Sequence, residues 1–513
     1  MKKVFLIVLA LLLCLCSYAI GAAPAVSTAD GTFIGQTNIE VFLGIPYARP
    51  PIGELRWLPP QELPAQHGTY YADKYGKNSL QQSPFFEDVS EDCLYLNIRT
   101  PALDGVLRPV CVFIHGGGYT SLSGSEPLWQ GVSFVKDGIV FVTINYRLGA
   151  TGFLYLDEID PKFKQTGYLG LLDQIAALKW IKKNIATFGG DPDNVTIMGE
   201  SAGAASVSLL MSMPQARGLF SKAIAESGTT NLRQTRTGAI IIAKRFIELA
   251  KVKQPAELRK LSSEQLLAVQ NKLMDEYGSM AGEVLFAPVS DNVQLPDEPL
   301  KAIRNGSARG VPLLAGTNRD EMNMFKLFAP ADLVNFTTFR WFTPRAVEAL
   351  FGRLDGNAAD YYAKLYPNLN DSDRFFKAGT GAVFFAPQVD LCDAQQGNAP
   401  VYFYSFAWGG TLGAFHGIEL YFVFNEVDGK YMEKWLGARP PEALRQAVHN
   451  AWAEFIKTGS PAVDATLLWF PYNIKQRPTM VFDDKLRLRS DPDKTIREYW
   501  QGHDNSNENE LYR

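Results

Sequence analysis

The chain has 513 residues, 46% of them hydrophobic and 20% charged, an ordinary composition for a globular protein. Its 50 basic and 54 acidic residues leave a formal charge of −4 with no long run of either sign, which excludes an electrostatic footprint for nucleic acid or for an anionic membrane surface. There is no internal repeat, and the length allows either several domains or one large α/β fold.

The first segment, "MKKVFLIVLALLLCLCSYAIGAAPA", opens on two lysines, continues as an apolar run from Val4, and closes on small residues around Gly21 to Ala25. That order is the one found in secretory signal peptides, so residues 1–23 are expected to be removed and the mature protein exported, secreted or periplasmic. The apolar run is short for a membrane span, and no transmembrane anchor is expected after cleavage. Cys14 and Cys16 leave with this segment; Cys93, Cys111 and Cys392 are too few for a disulfide framework. Residues 24–503 read as one α/β domain, and the polar stretch 504–513 as a disordered tail.

Within that domain, "VCVFIH" (110–115), "GIVFVTINYR" (138–147) and "NVTIMGES" (194–201) are β-branched runs, apolar on both faces. Strands of a parallel sheet covered on both sides read this way. Between the second and third lies "GLLDQIAALKWIKKNIATFGGD", apolar at helical spacing with glycines just beyond its end, which completes a βαβ unit. "KAIAESG" (222–228), "VPLLAGTN" (311–318) and "PVYFYSFAW" (400–408) continue the sheet. Residues 230–285 and 325–398 break the alternation. They read as helical insertions covering one end of the sheet, because strands occur both before and after them.

Two stretches carry chemistry. After the strand at 110–115 come three glycines, Gly116 to Gly118, a backbone bare enough to present N–H groups to a ligand. "GESAG", Gly199 to Gly203, sits between a strand and the helix "AASVSLLM", the setting of a nucleophile elbow. The flanking glycines permit a sharp turn, and Ser201 is then exposed at a helix N-terminus, where unpaired N–H groups favour an oxyanion.

A serine needs a base, and the base an orienting acid. Of the five histidines, His67 precedes the elbow, His115 ends a strand and His503 lies in the tail. His416, in the glycine-rich "GTLGAFHGIEL", sits where a catalytic histidine is expected; His449, in "PEALRQAVHNAWAEFIK", sits in an amphipathic helix, where packing is expected. Asp320 and Glu321 both follow a sheet strand, and spacing does not choose between them.

These motifs resemble those of the type-B carboxylesterases, the family that includes cholinesterases and broad-specificity carboxylesterases, with the bacterial members most similar. "FGGDPDNVTIMGESAG" fits the family's serine signature, and "EDCLYLNIRTP" its second signature except at Arg99, where an apolar residue is usual. "VFLGIPYARPPIGELRW", "GTNRDE", "GAFHGIEL" and "WAEFIKTGSP" follow in the family's order.

The resemblance implies an α/β-hydrolase fold: a mostly parallel sheet, helices on both faces, helical insertions over the active site. It implies a Ser201–Glu321–His416 triad cleaving small-molecule esters through an acyl-enzyme, with an oxyanion hole from the N–H groups of Gly117, Gly118 and Ala202. No metal or cofactor is implied. Glu200 matches a glutamate near the cholinesterase site, Ser227 a serine that supports the acid, and Arg49 with Glu91 a structural ion pair. Cys93 has no upstream partner for the cholinesterase loop disulfide. The stretch before it holds Phe85 and Phe86 but no tryptophan, which argues against choline specificity. Phe325, Phe328 and Trp341 are candidates to shape the acyl pocket. A silent adhesion protein on the same fold, and an amidase or lipase with the same triad, are the competing readings.

Overall fold

Ten runs pair into one sheet; the central ones are apolar on both faces and are covered by two layers of helices, whereas the edge run Arg487–Ser490 is polar and largely exposed. In chain order they are β1 (Glu40–Pro46), β2 (Tyr95–Thr100), β3 (Arg108–Ile114), β4 (Val140–Ile144), β5 (Gly190–Glu200), β6 (Lys222–Glu226), β7 (Leu313–Asn318), β8 (Val401–Phe406), β9 (Pro478–Phe482) and β10 (Arg487–Ser490). This computed structural model describes residues 23–36, 40–64, 68–83, 88–277, 285–327, 356–425, 433, 436–463 and 467–501. Residues 1–22 of the expected leader (1–23), the tail (504–513), Phe85, Phe86, Phe328 and Trp341 lie outside them.

The spatial order is β10-β9-β8-β7-β6-β5-β3-β4-β2-β1. From β9 to β4 the neighbours run parallel. β10 at one edge, and β2 and β1 at the other, are antiparallel. The longer helices among the described residues are α1 (Leu169–Asn184), α2 (Ala202–Ser212), α3 (Arg236–Leu249), α4 (Ser263–Tyr277), α5 (Gly356–Leu365), α6 (Asp371–Gly379), α7 (Ala386–Gln395), α8 (Glu442–Thr458) and α9 (Lys494–Gln501).

Alternation along β3 shows how the sheet is covered. Val110, Val112 and Ile114 enter the core shared with α1, α2 and α3, whereas Cys111 and Phe113 enter the opposite core, built on Trp452 and Phe455 of α8. In β6, Ala223 and Ala225 face the first core and Ile224 the second. A third, smaller cluster gathers Met322, Phe325, Tyr362, Phe375, Phe384 and Trp500 around α5, α6 and α9. Most of it comes from the second expected insertion, joined by Met322 and by Trp500 of α9. Cys93, Cys111 and Cys392 are buried free thiols. Among the described residues, no helix is long and apolar enough to cross a membrane.

Strand register aligns the ends of three strands. Glu200 at the end of β5 pairs with Glu226 at the end of β6, and Glu226 with Gly316 near the end of β7. Loops leaving these three strands therefore emerge side by side at the carboxyl edge, where open α/β sheets bind ligands.

Candidate active site

Ser201 turns the chain from β5 into α2 with φ 56° and ψ −124°. A non-glycine residue held there costs about 1–3 kcal/mol, so its surroundings must over-determine it. They do: Ser201 N–H donates to the Glu226 carbonyl at 2.9 Å, and its own carbonyl accepts from Ala205 N at 2.9 Å. The glycines are sterically required, since a Cβ at Gly203 would lie 2.0 Å from the Ile114 carbonyl oxygen.

The glycines after β3 behave differently. Gly117 and Gly118 have φ of 89° and 59°. The Gly117 carbonyl accepts from Thr120 N and Ser121 N, both at 3.0 Å, closing a turn. Among the described residues no acceptor meets the N–H of either glycine. Both line a cavity of about 520 Å³ that also holds Ser201, Glu200 and His416, walled by Leu122, Leu128, Phe325, Phe415 and Leu420. Ala202, the first residue of α2, is buried directly after the serine.

His416 Nδ1 lies 2.7 Å from Glu321 Oε2, and its backbone N–H donates to the Glu321 carbonyl at 3.1 Å. Glu321 Oε1 accepts from Asn318 N at 2.7 Å, so the carboxylate is fixed at both oxygens. His416 Nε2 lies 3.1 Å from Glu200 Oε1. The neighbouring Asp320 is turned away: it pairs with Lys377 and with Arg319 Nε (3.1 Å) and accepts from Ala414 N (3.1 Å). The structure thus separates the two acids that spacing could not.

His416 is held between aromatic rings, Phe384 at 4.7 Å and Phe325 at 6.2 Å between centroids. Phe384 belongs to a π-helical turn, Thr380–Phe385, a distortion often found at functional sites. Burial favours the neutral imidazole, but the carboxylates of Glu200, Glu321 and Glu419, when all are charged, outweigh it and push the ring up to about 10.

His115 and His449 are structural, and His67 and His503 lie outside the described residues. His115 Nδ1 contacts the Gly116 carbonyl at 2.9 Å and the ring stacks on Tyr146; burial lowers it to about 4. His449 packs on Phe134, with Nδ1 2.6 Å from the Val423 carbonyl and Nε2 3.0 Å from Asp137.

Two expectations are corrected. Glu91 pairs with Arg56 at 2.5 Å, not with Arg49; the Arg56 guanidinium also caps the carbonyls of Leu258, Arg259 and Leu261, a set no local pattern reveals. Ser227 Oγ donates to Glu419 Oε1 at 3.3 Å rather than to Glu321, because φ of 54° at Ser227 ends β6 and turns the side chain toward the histidine loop. Glu419, Glu226 and Asn318 were missed in sequence. Glu419 stands inside "GAFHGIEL" and Asn318 inside "GTNRDE", but nothing local shows that they meet.

The carboxylesterase family matches residues 22–500. The para-nitrobenzyl esterase of Bacillus subtilis (strain 168) is 37% identical over 92% of this chain and 97% of that protein. The cholinesterase of Mus musculus is 30% identical over 83% of this chain and 76% of its own. Among solved structures, a thermophilic pNB esterase superposes with a TM-score of 0.83 at 35% identity, covering 93% of this chain and all of the other. A match across nearly the whole described chain, with relatives this similar end to end, means that the chain belongs to the type-B carboxylesterase family, has the α/β-hydrolase fold and is a carboxylic ester hydrolase.

Proposed function

We propose that this carboxylesterase is an exported serine hydrolase that works through an acyl-enzyme on Ser201, with His416 as base and Glu321 as its orienting acid. The observation that carries this reading is the 2.7 Å contact between His416 and Glu321 beside a cavity lined by both His416 and Ser201. His416 takes the proton from Ser201 as the hydroxyl attacks the ester carbonyl, and Glu321 stabilises the imidazolium. Swinging toward Ser201, His416 Nε2 exchanges Glu200 for the serine hydroxyl. The N–H groups of Gly117, Gly118 and Ala202 receive the oxyanion; one such donor contributes about 3–4 kcal/mol to the transition state. His416 then protonates the leaving alcohol, and water repeats the sequence on the acyl-enzyme.

The apolar walls suit small esters with hydrophobic acyl and alcohol groups. Hydrolysis of p-nitrophenyl butyrate by the mature protein, beside Ser201→Ala, tests the reading. Turnover is expected to fall by about 10⁶-fold in the variant. A folded wild type as inert as the variant would return the chain to the binding-protein reading. Export is tested separately, by finding the mature N-terminus near residue 24 outside the cytoplasm.

A further inference from the structure

Beneath the cavity the structure gathers four glutamates: Glu200, Glu321 and Glu419 act on the His416 imidazole, and Glu226 adjoins Glu419 and Glu200. Glu200 ends β5, Glu226 ends β6, Glu321 follows β7, and Glu419 lies three residues beyond His416. Their exposures are 7%, 0%, 0% and 0%. The mechanism uses Glu321, and Glu200 contacts His416 Nε2. Glu226 and Glu419 have no part in it.

Their partners are neutral. Glu419 accepts from Ser227 Oγ and from Asn318 Nδ2. The same Asn318 side chain donates to the Phe415 carbonyl at 3.0 Å, so Glu419 and Asn318 tie the histidine loop to the strand that carries the acid. Glu226 Oε1 accepts from the Trp452 indole of α8, while its Oε2 and the nearby buried Tyr404 hydroxyl have no hydrogen-bond partner among the described residues. The charges that act on Glu226 are Glu419 and Glu200, and those on Glu419 are Glu321 and Glu200 with His416 opposing them; none is a lysine or arginine. Tyr404 of β8 faces the same group.

Four buried carboxylates against one imidazolium would leave three uncompensated charges out of contact with water. Ionised groups in that position neutralise instead. Glu321 is fixed as the charged partner by the Asn318 N–H and by His416, and Glu200 borders the cavity. The protons fall to the two deepest groups.

Taking His416 as the base, the role proposed for it here, we infer that Glu226 and Glu419 are held as neutral carboxylic acids in the resting enzyme, a buried pair that restricts the charge acting on His416 to Glu321 and Glu200. Burial and the neighbouring carboxylates push both groups upward, in keeping with this assignment. The pair serves the reaction by limiting how tightly His416 holds a proton. With every carboxylate ionised, the imidazole would retain its proton at neutral pH and could neither receive one from Ser201 nor release one to the alcohol.

Infrared difference spectra of the full mature protein at neutral pH, wild type against Glu226→Gln and against Glu419→Gln, read the protons directly. Each variant is expected to lose a carbonyl-stretch band of a protonated carboxylic acid that shifts in deuterium oxide. In each, the acid-limb midpoint of the pH profile of kcat/KM for p-nitrophenyl butyrate is expected to stay where the wild type has it, since no charge was removed. A band that survives in either variant overturns the pair, as does a midpoint lowered by about one pH unit, the mark of a lost negative charge. If a variant does not fold, ¹³C labelling of glutamate carboxyls in the wild type decides: absence of an isotope-shifted acid band overturns the assignment. An absent band in a protein that still hydrolyses the ester refutes the pair and leaves the esterase reading intact.

Discussion

The molecule buries charge in two ways. Under the amino-terminal strands, Arg147 meets Asp173 through Nε at 2.8 Å and Nη2 at 2.7 Å, with side-chain exposures of 2% and 0%, and a spare guanidinium donor reaches the Leu58 carbonyl. Arg56 and Glu91 repeat the arrangement. Each carboxylate there has its own guanidinium, in the bidentate geometry that satisfies both groups. At the carboxyl edge of β5, β6 and β7, three carboxylates act on one histidine and a fourth, Glu226, adjoins them. The first region is compensated and serves stability. The second carries an excess of one sign, which perturbs the imidazole proposed as the catalytic base.

The comparison can be broken at either end. The largest effect is expected at the acid: Glu321→Gln keeps the shape but no longer stabilises the imidazolium or fixes its tautomer. It should lower kcat by about 10⁴-fold with little change in KM, measured on p-nitrophenyl butyrate. A loss below tenfold would mean that Glu321 is not the partner the reaction uses.

The compensated region should respond in stability instead. Arg147→Met leaves Asp173 buried without its cation, which costs about 3–5 kcal/mol in denaturant unfolding, while turnover per folded molecule is unchanged. An equal fall in turnover would show that the two regions are not separable.

Glu200→Gln sharpens the contrast with the buried pair. The Glu200 charge raises His416, so removing it lowers the pH at which His416 loses its proton. The acid limb of kcat/KM should move down by about one unit or more. An unmoved limb would mean that Glu200 is itself neutral and that the charge under His416 is distributed differently.

The smallest effect is expected at Arg99, the departure from the family's second signature. It donates to Tyr75 at 2.6 Å and to Gln130, and its buried Nη1 has no hydrogen-bond partner among the described residues. Its partners are neutral side chains rather than a carboxylate, so Arg99→Leu should be neutral or stabilising, by about 1 kcal/mol in thermal unfolding. A loss beyond about 2 kcal/mol would show that its hydrogen bonds outweigh its desolvation.

Much of this was written locally. Apolar runs on both faces of 110–115 and 194–201 determined a doubly covered parallel sheet, because strand burial has a period of two and both phases were apolar. The glycines of "GESAG" and "HGGG" determined where the backbone had to turn sharply or lie bare, because only glycine fits those positions. Boundaries shifted slightly: β5 starts at Gly190, four residues before the expected strand, and β6 ends at Glu226, because Ser227 adopts positive φ. Only the tertiary structure set Glu321, and not Asp320, against His416. Adjacent residues leave a strand in different directions, and the choice depends on Lys377 arriving from α6 to claim Asp320. The same holds for Arg56 over Arg49, and for the meeting of Glu226 from β6 with Glu419 from the histidine loop. Electrostatic partners are set by distances through space, and residues 193 positions apart carry no mark of one another in the chain.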